Sequence, residues 1–350
     1  MNIKKLVKKD VVSLRAYSAS EIPCRVKLDA NESPCGFDEA LKAAVLIRTN
    51  RYPDPEAKAL KKLIARDFRV RPEQILQGNG SDELIYYLIA TFGGPVLYPV
   101  PTFSMYGIIA QAFGEKKIAV PLDDAYDLDA AAMLTAVRRE NPKLIFLASP
   151  NNPTGNCFAS ERILPLLEAT RGIVVVDEAY QPFASDRGFL PLLKDYPNLV
   201  IMRTLSKIGL AALRLGFLIA SPEIVEEVNK VRLPFNVNAL SQAVAVAALQ
   251  EKKKLKESIK EIVGERDRLL SAMAMIEGVT PFPSEANFIL FRVFGPDRVY
   301  RALLKKGVLV RNLNDAAPGC LRVTVGSPRE NTAFLSALEK IQQQQRQEQS

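Results

Sequence analysis

Ile173-Val174-Val175-Val176-Asp177-Glu178-Ala179-Tyr180 is the stretch whose reading decides the fold. Four β-branched residues in a row read as a strand covered on both faces, because a half-exposed strand would alternate apolar with polar positions. The run stops at a carboxylate. In an open α/β sheet, ligands bind at the carboxyl ends of the parallel strands, so Asp177 stands where chemistry is expected. Asp177 alone would equally serve as the N-cap of a following helix. Two similar apolar runs flank this one, Leu144 to Ala148 upstream and Leu199 to Arg203 downstream, and Phe217 to Ala220 is a further strand candidate.

Amphipathic stretches alternate with these runs, which predicts an α/β fold. Ala40 to Ile47, Glu56 to Phe68, Ser81 to Thr91 and Phe103 to Phe113 read as helices, with a short strand at Val96 to Tyr98. From Ser241 to Ile276 the pattern turns long, charged and helical. Short strands follow at Asn287 to Arg292, Val308 to Arg311 and Leu321 to Val325. The change of pattern predicts a smaller domain built from the C-terminal third. The glutamine-rich end, 342–350, reads as a disordered tail. A chain of 350 residues is long enough for two cores.

Composition excludes several classes. There is no histidine, which removes catalytic triads, His-bearing zinc sites and Cys-His pairs. Cys24, Cys35, Cys157 and Cys320 are scattered without a Cys-x-x-Cys pair, so neither a metal site nor a disulfide framework is expected. No apolar stretch reaches the roughly 18 residues of a membrane span, and the lysine-rich start lacks the apolar segment of a signal peptide. A cytoplasmic protein without a membrane partner is expected. The formal charge of +8 raises nucleic acid as a partner. The densest basic run, Lys252-Lys253-Lys254, sits among glutamates on a helical stretch, however, and reads as a solvated face.

The next informative stretch is Thr204-Leu205-Ser206-Lys207, with Arg214 seven residues beyond the lysine. A lone Ser-Lys dipeptide is ordinarily a surface loop. Beside Asp177, the combination suits pyridoxal 5′-phosphate (PLP): an amine for its aldehyde, hydroxyls and a guanidinium for its phosphate, and a buried acid for its ring nitrogen. A ring kept cationic by Asp177 withdraws electrons from the reacting carbon. Tyr180 and Asn152, the latter in the turn Asn151-Asn152-Pro153-Thr154-Gly155, would donate to the cofactor's phenolic oxygen. Gly78-Asn79-Gly80-Ser81-Asp82-Glu83 opens a helix whose first N–H groups can cradle a phosphate, and reads equally well as a plain cap. If it is a phosphate site, Ser81 and the Asp82 backbone bind and the Asp82 side chain turns away. Phe103 can stack on a pyridine ring or simply pack in the core.

In this order and with these gaps, the motifs resemble those of the fold-type I PLP enzymes, most closely the histidinol-phosphate aminotransferase family. The resemblance runs from Tyr17 to Gly326. It is carried also by Leu28-Asp29-Ala30-Asn31-Glu32-Ser33-Pro34, by Arg51-Tyr52-Pro53-Asp54 and by Cys320-Leu321-Arg322-Val323-Thr324-Val325-Gly326. It implies a large domain over 36–240 with a seven-stranded, mixed but mostly parallel sheet flanked by helices, plus a small α+β domain over 241–341 that the N-terminal segment, 1–35, joins. It implies that Lys207 holds PLP covalently and shuttles the proton, and that Asp177, Asn152 and Tyr180 hold the ring. The phosphate falls to Ser81, Asp82, Thr204, Ser206 and Arg214, with Phe103 against the ring. Tyr52 would reach the phosphate across a homodimer interface. Arg322 and Arg311 would grip the acidic end of the substrate, with Tyr17 and Asn31 closing the pocket. The implied reaction exchanges an amino group between L-histidinol phosphate and 2-oxoglutarate. Aromatic-amino-acid aminotransferases and threonine-phosphate decarboxylases are the alternatives on the same scaffold.

Overall fold

The computed structural model describes residues 3–14, 22–185 and 188–348. Its strands, in chain order, are Val26–Leu28 (β1), Ile75–Asn79 (β2), Val96–Val100 (β3), Lys117–Pro121 (β4), Leu144–Ala148 (β5), Ile173–Asp177 (β6), Leu199–Thr204 (β7), Leu215–Ile219 (β8), Val279–Pro281 (β9), Phe288–Val293 (β10), Val308–Asn312 (β11) and Cys320–Thr324 (β12). Seven of them form one sheet in the order β2-β8-β7-β6-β5-β3-β4. β4, β3, β5, β6 and β7 run parallel, while β8 is antiparallel to both β7 and β2. This is the mixed, mostly parallel sheet that the motifs imply.

The continuous apolar runs are explained by burial on both faces. Along β5, Ile145 and Leu147 enter the core on one side of the sheet, and Leu144, Phe146 and Ala148 enter the core on the other. Val174 and Val176 of β6 divide from Val175 in the same way. Full burial of each such side chain contributes about 1.5–3 kcal/mol, which is why no polar residue interrupts these strands. β4 is one of the two edge strands, and it alternates Ile118 and Val120 inward with Lys117, Ala119 and Pro121 outward, the charge and the proline blunting that edge.

The second sheet has the order β1-β11-β12-β10-β9. β1, from the N-terminal segment, lies parallel to β11, so the start of the chain is built into the sheet of its last third. Two helices, Ala239–Gln250 and Lys252–Ala274, replace the single long helical stretch expected there, with the break at Glu251. Ala40 to Ile47 is a 3₁₀ helix, Asp38–Leu46, and not an α-helix. The helix expected from Phe103 begins only at Met105.

The chain end differs more. A helix spans Pro328–Gln347, opened by a capping box in which Ser327 and Glu330 satisfy each other's backbone N–H groups. Phe334, Leu338, Ile341, Gln342 and Gln345 are buried at helical spacing, so the glutamines continue an apolar face where a disordered tail is expected. Among the described residues, no helix is long and apolar enough to cross a membrane.

Candidate active site

Asp177 closes β6 and is buried. Its Oδ2 accepts a 2.7 Å hydrogen bond from the Tyr106 hydroxyl, and its Oδ1 accepts the Ala179 N–H at 3.1 Å. Burial pushes the carboxyl up to about 6, against the two donors, which pull it down. Tyr106 stacks on Phe146 with ring centroids 4.8 Å apart, and burial holds its hydroxyl well above the ordinary phenol range. It therefore stays a donor. A carboxylate in this setting is stabilised by any cation brought against it, and a protonated ring nitrogen is such a cation.

The turn after β6 is pinned by Glu178, which sits between Asp177 and the residues leading to Tyr180. Its carboxylate takes the Arg203 guanidinium of β7 at 2.5 and 2.8 Å and the Phe189 N–H at 2.6 Å. Breaking a buried pair of this kind by removing one partner costs about 3–5 kcal/mol. Tyr180 is buried, edge-on to Phe288 at 5.0 Å, and its oxygen accepts the Asn31 side-chain amide at 2.9 Å. Lys207 lies in a single 3₁₀ turn, Ser206–Ile208, just past β7. Its Nζ is 3.3 Å from the Ala30 carbonyl and 5.7 Å from the centre of the Tyr180 ring. Lys207 and Tyr180 are thus brought together, as the motifs imply.

The turn before the helix Ser81–Phe92 is shaped for an anion. The N-cap is Gly80, at φ 83°, which brings no side chain to the first-turn N–H groups. A Cβ on Gly80 would lie 2.6 Å from Arg214 Nη2, and one on Gly216 of β8 would lie 2.7 Å from the Ser81 nitrogen. At Gly216 the clash is with the Ser81 and Gly80 backbone, so only glycine lets the two segments approach, and at Gly80 the positive φ favours glycine. Arg214 Nη1 donates to Ser206 Oγ at 3.3 Å, and Thr204 Oγ1 donates to Ser206 Oγ at 3.0 Å. One correction concerns Asp82. Its carboxylate faces Arg214 Nη2 at 3.5 Å instead of turning away, because the guanidinium supplies its counter-charge.

Arg322 of β12 is buried and held on three sides. It donates to Asn152 Oδ1 at 2.5 Å and to the Asp29 carbonyl at 2.7 Å, and lies over the Phe288 ring at 5.1 Å. Its grip on Asn152 Oδ1 leaves the amide nitrogen of Asn152 as the end available to a phenolic oxygen. Arg311 stands directly opposite Arg322 in the β11–β12 register, so the two side chains leave the same face of the sheet. Phe103 meets Tyr106 edge-on at 5.6 Å. Tyr52 is 82% exposed and stacks on Phe235 at 4.6 Å. Tyr17 lies outside the described residues.

Sequence reasoning missed Tyr106, the Glu178–Arg203 pair and Asn151. The last is fully buried and ties the loop after β3 to the loop after β5 through Thr102, Pro101 and Thr154. Asn151 carried a readable signal, since it stands three residues past an apolar strand in a turn-forming run, where a buried polar side chain needs partners. Tyr106 carried none, lying in an apolar helix 71 residues before its carboxylate.

With this geometry established, comparison with known proteins is informative. Residues 25–338 match the family model for aminotransferase class I and II, and the chain belongs to that class. It is 45% identical over 348 residues to the histidinol-phosphate aminotransferase of Aquifex aeolicus, covering 96% of this chain and 98% of that protein. Identity to the enzyme of the same name from Caldanaerobacter subterraneus subsp. tengcongensis is 38% over 350 residues, covering 97% and 99%. Within the class, the chain belongs to the histidinol-phosphate aminotransferases. Among solved structures, it resembles histidinol-phosphate aminotransferase from Sinorhizobium meliloti in complex with pyridoxal-5′-phosphate. The TM-score is 0.86 at 28% identity, covering 97% of this chain and 98% of that one.

Proposed function

We propose that this protein moves an amino group between L-histidinol phosphate and 2-oxoglutarate, giving imidazole-acetol phosphate and L-glutamate, with PLP held on Lys207. The reading rests on one observation above others. Lys207, Asp177 and Tyr180 converge at the carboxyl ends of the adjacent parallel strands β6 and β7. The residues also fit the cofactor. The Gly80–Ser81 turn with Arg214 offers an anion cradle, and the buried Asp177 favours a cationic partner.

When bound, PLP supplies an aldehyde that takes up amines and a cationic ring that accepts the electron pair of the substrate's reacting carbon. The chain supplies the rest. Asp177 holds the proton on the ring nitrogen, and Tyr106 holds Asp177. Tyr180 and Asn152 donate to the phenolic oxygen. Ser81, the Asp82 backbone, Thr204, Ser206 and Arg214 hold the phosphate, with Phe103 against the ring. The Lys207 Nζ would take the proton from the substrate carbon and give it to the former aldehyde carbon of the cofactor, ending as a free amine again. Arg322 and Arg311, with Tyr17 and Asn31, take the acidic end of the substrate, since paired guanidinium groups orient a phosphate in two directions.

The active unit in this reading is a cytoplasmic homodimer in which Tyr52 reaches the partner's phosphate site. The exposed apolar side chains of Val45, Leu46, Tyr52 and Leu233 support a second copy as their cover. The test supplies PLP, histidinol phosphate and 2-oxoglutarate and measures glutamate, with phenylalanine and threonine phosphate as competing substrates. Glutamate formed fastest from histidinol phosphate supports the reading. Carbon dioxide from threonine phosphate without glutamate would replace it with a decarboxylase.

A further inference from the structure

Asn31 is buried at φ 55° and joins three parts of the chain. Its side-chain Nδ2 donates to the Tyr180 oxygen at 2.9 Å, at the end of the large sheet. Its backbone N–H donates to Thr324 Oγ1 at 2.9 Å, on β12 of the second sheet, and Thr324 Oγ1 donates back to Asn31 Oδ1 at 3.2 Å. The Asn31 carbonyl accepts from Asn287 Nδ2 at 3.0 Å.

The directions of these bonds matter. A hydroxyl has a single proton. Thr324 uses its proton on Asn31 Oδ1, which turns the NH₂ end of the amide toward Tyr180. A flipped amide would deny Thr324 that acceptor. The Tyr180 oxygen already accepts from Asn31, so its own proton is left to be given elsewhere. Thr324 is two residues beyond Arg322 on the same strand.

We propose that Thr324 and Asn31 form a relay that fixes Tyr180 as a donor to the phenolic oxygen of the cofactor. The strand carrying the substrate-gripping Arg322 thereby sets the proton affinity of the lysine–PLP linkage. The proposal rests on the function proposed above. Its sign follows from charge. When the linkage nitrogen loses its proton, the phenolic oxygen carries the full negative charge, and a donor there favours that form and lowers the titration midpoint. Each bond in the chain polarises the next, so weakening the first link weakens the last. The other charged and titratable groups that face Tyr180 are Lys207 over its ring, Tyr106 with Asp177, and Arg322, which shares the Phe288 ring with it. The variants below leave all of them in place.

The experiment titrates the visible absorbance of the purified holoenzyme against pH. Tyr180→Phe should raise the midpoint by about one unit, and Thr324→Val by about half a unit, although Thr324 sits at the far end of the relay. Thr324→Ser, which keeps the hydroxyl, should restore the original midpoint. Asn31→Gly tolerates the positive φ, deletes the link to Tyr180 and should raise the midpoint at least as far as Thr324→Val. In the Tyr180→Phe background, Thr324→Val should add nothing, because the two act through one bond. A Thr324→Val midpoint equal to that of the original protein, or a shift fully additive with Tyr180→Phe, overturns the relay alone. If the unaltered protein develops no lysine-dependent visible band with PLP, the proposed function falls and takes the relay with it.

Discussion

Replacing Asp177 with asparagine should make the PLP-free protein more stable at neutral pH. Burial raises this carboxyl from 3.8 to about 6. At 1.36 kcal/mol per pKa unit, that rise corresponds to about 3 kcal/mol. The sign follows from proton linkage. With a raised folded value, the native state binds the extra proton between about pH 4 and 6, so stability is full below this window, falls across it and stays lower above it. Asp177→Asn has no such titration. Between about pH 5 and 7.5, the original protein should lose about 1.4 kcal/mol of unfolding free energy relative to Asp177→Asn. Urea unfolding of the two PLP-free proteins at several pH values measures this, with tyrosine fluorescence as the signal because the chain has no tryptophan. Adding PLP should reverse the order, since a ring cation brought to Asp177 removes the penalty only in the original protein. Parallel pH dependence of the two proteins would refute the reasoning, since Asp177 would then be ionised at no cost.

Tyr106→Phe keeps the ring against Phe146 and removes the donor to Asp177. A hydrogen bond to a charged group contributes about 1.5–3 kcal/mol, so turnover or PLP affinity should fall roughly 10- to 100-fold, and values close to the original in both would remove Tyr106 from the site. Arg311→Ala should lower kcat/KM for histidinol phosphate by roughly 10- to 100-fold while sparing aromatic amino acids, and equal losses on both would take Arg311 out of the phosphate pocket. Tyr52→Phe should release PLP on dialysis more readily. Mixed with Lys207→Ala, it should recover activity above either variant alone, because one of the two sites in each hybrid is intact; no recovery would argue against a shared site.

The central strands were legible because burial on both faces leaves nothing but apolar residues, as at Ile173 to Val176. Strand β4 was not, because its exposed edge reads Lys-Ile-Ala-Val-Pro and mixes charge with proline. β2 ends in Gln-Gly-Asn, which reads as a turn although Gln77 is buried. The C-terminal helix was hidden by composition, since Gln342 and Gln345 occupy buried positions that polar side chains rarely take. Within the site, Lys207, Asp177 and Tyr180 could be read locally, Asp177 as the last residue of its strand and the other two within three residues of a strand end. Tyr106 and Thr324 could not. Their functional contacts span 71 and 293 residues, and only the folded chain brings the partners together.

The most direct test is reduction of the PLP-loaded protein with borohydride, followed by proteolysis and peptide mass measurement. A pyridoxyl phosphate group fixed on the peptide carrying Lys207, and missing when Lys207→Ala is treated identically, is the expected result. An unmodified Lys207 peptide from a protein that has taken up PLP would contradict the assignment on which every other role depends.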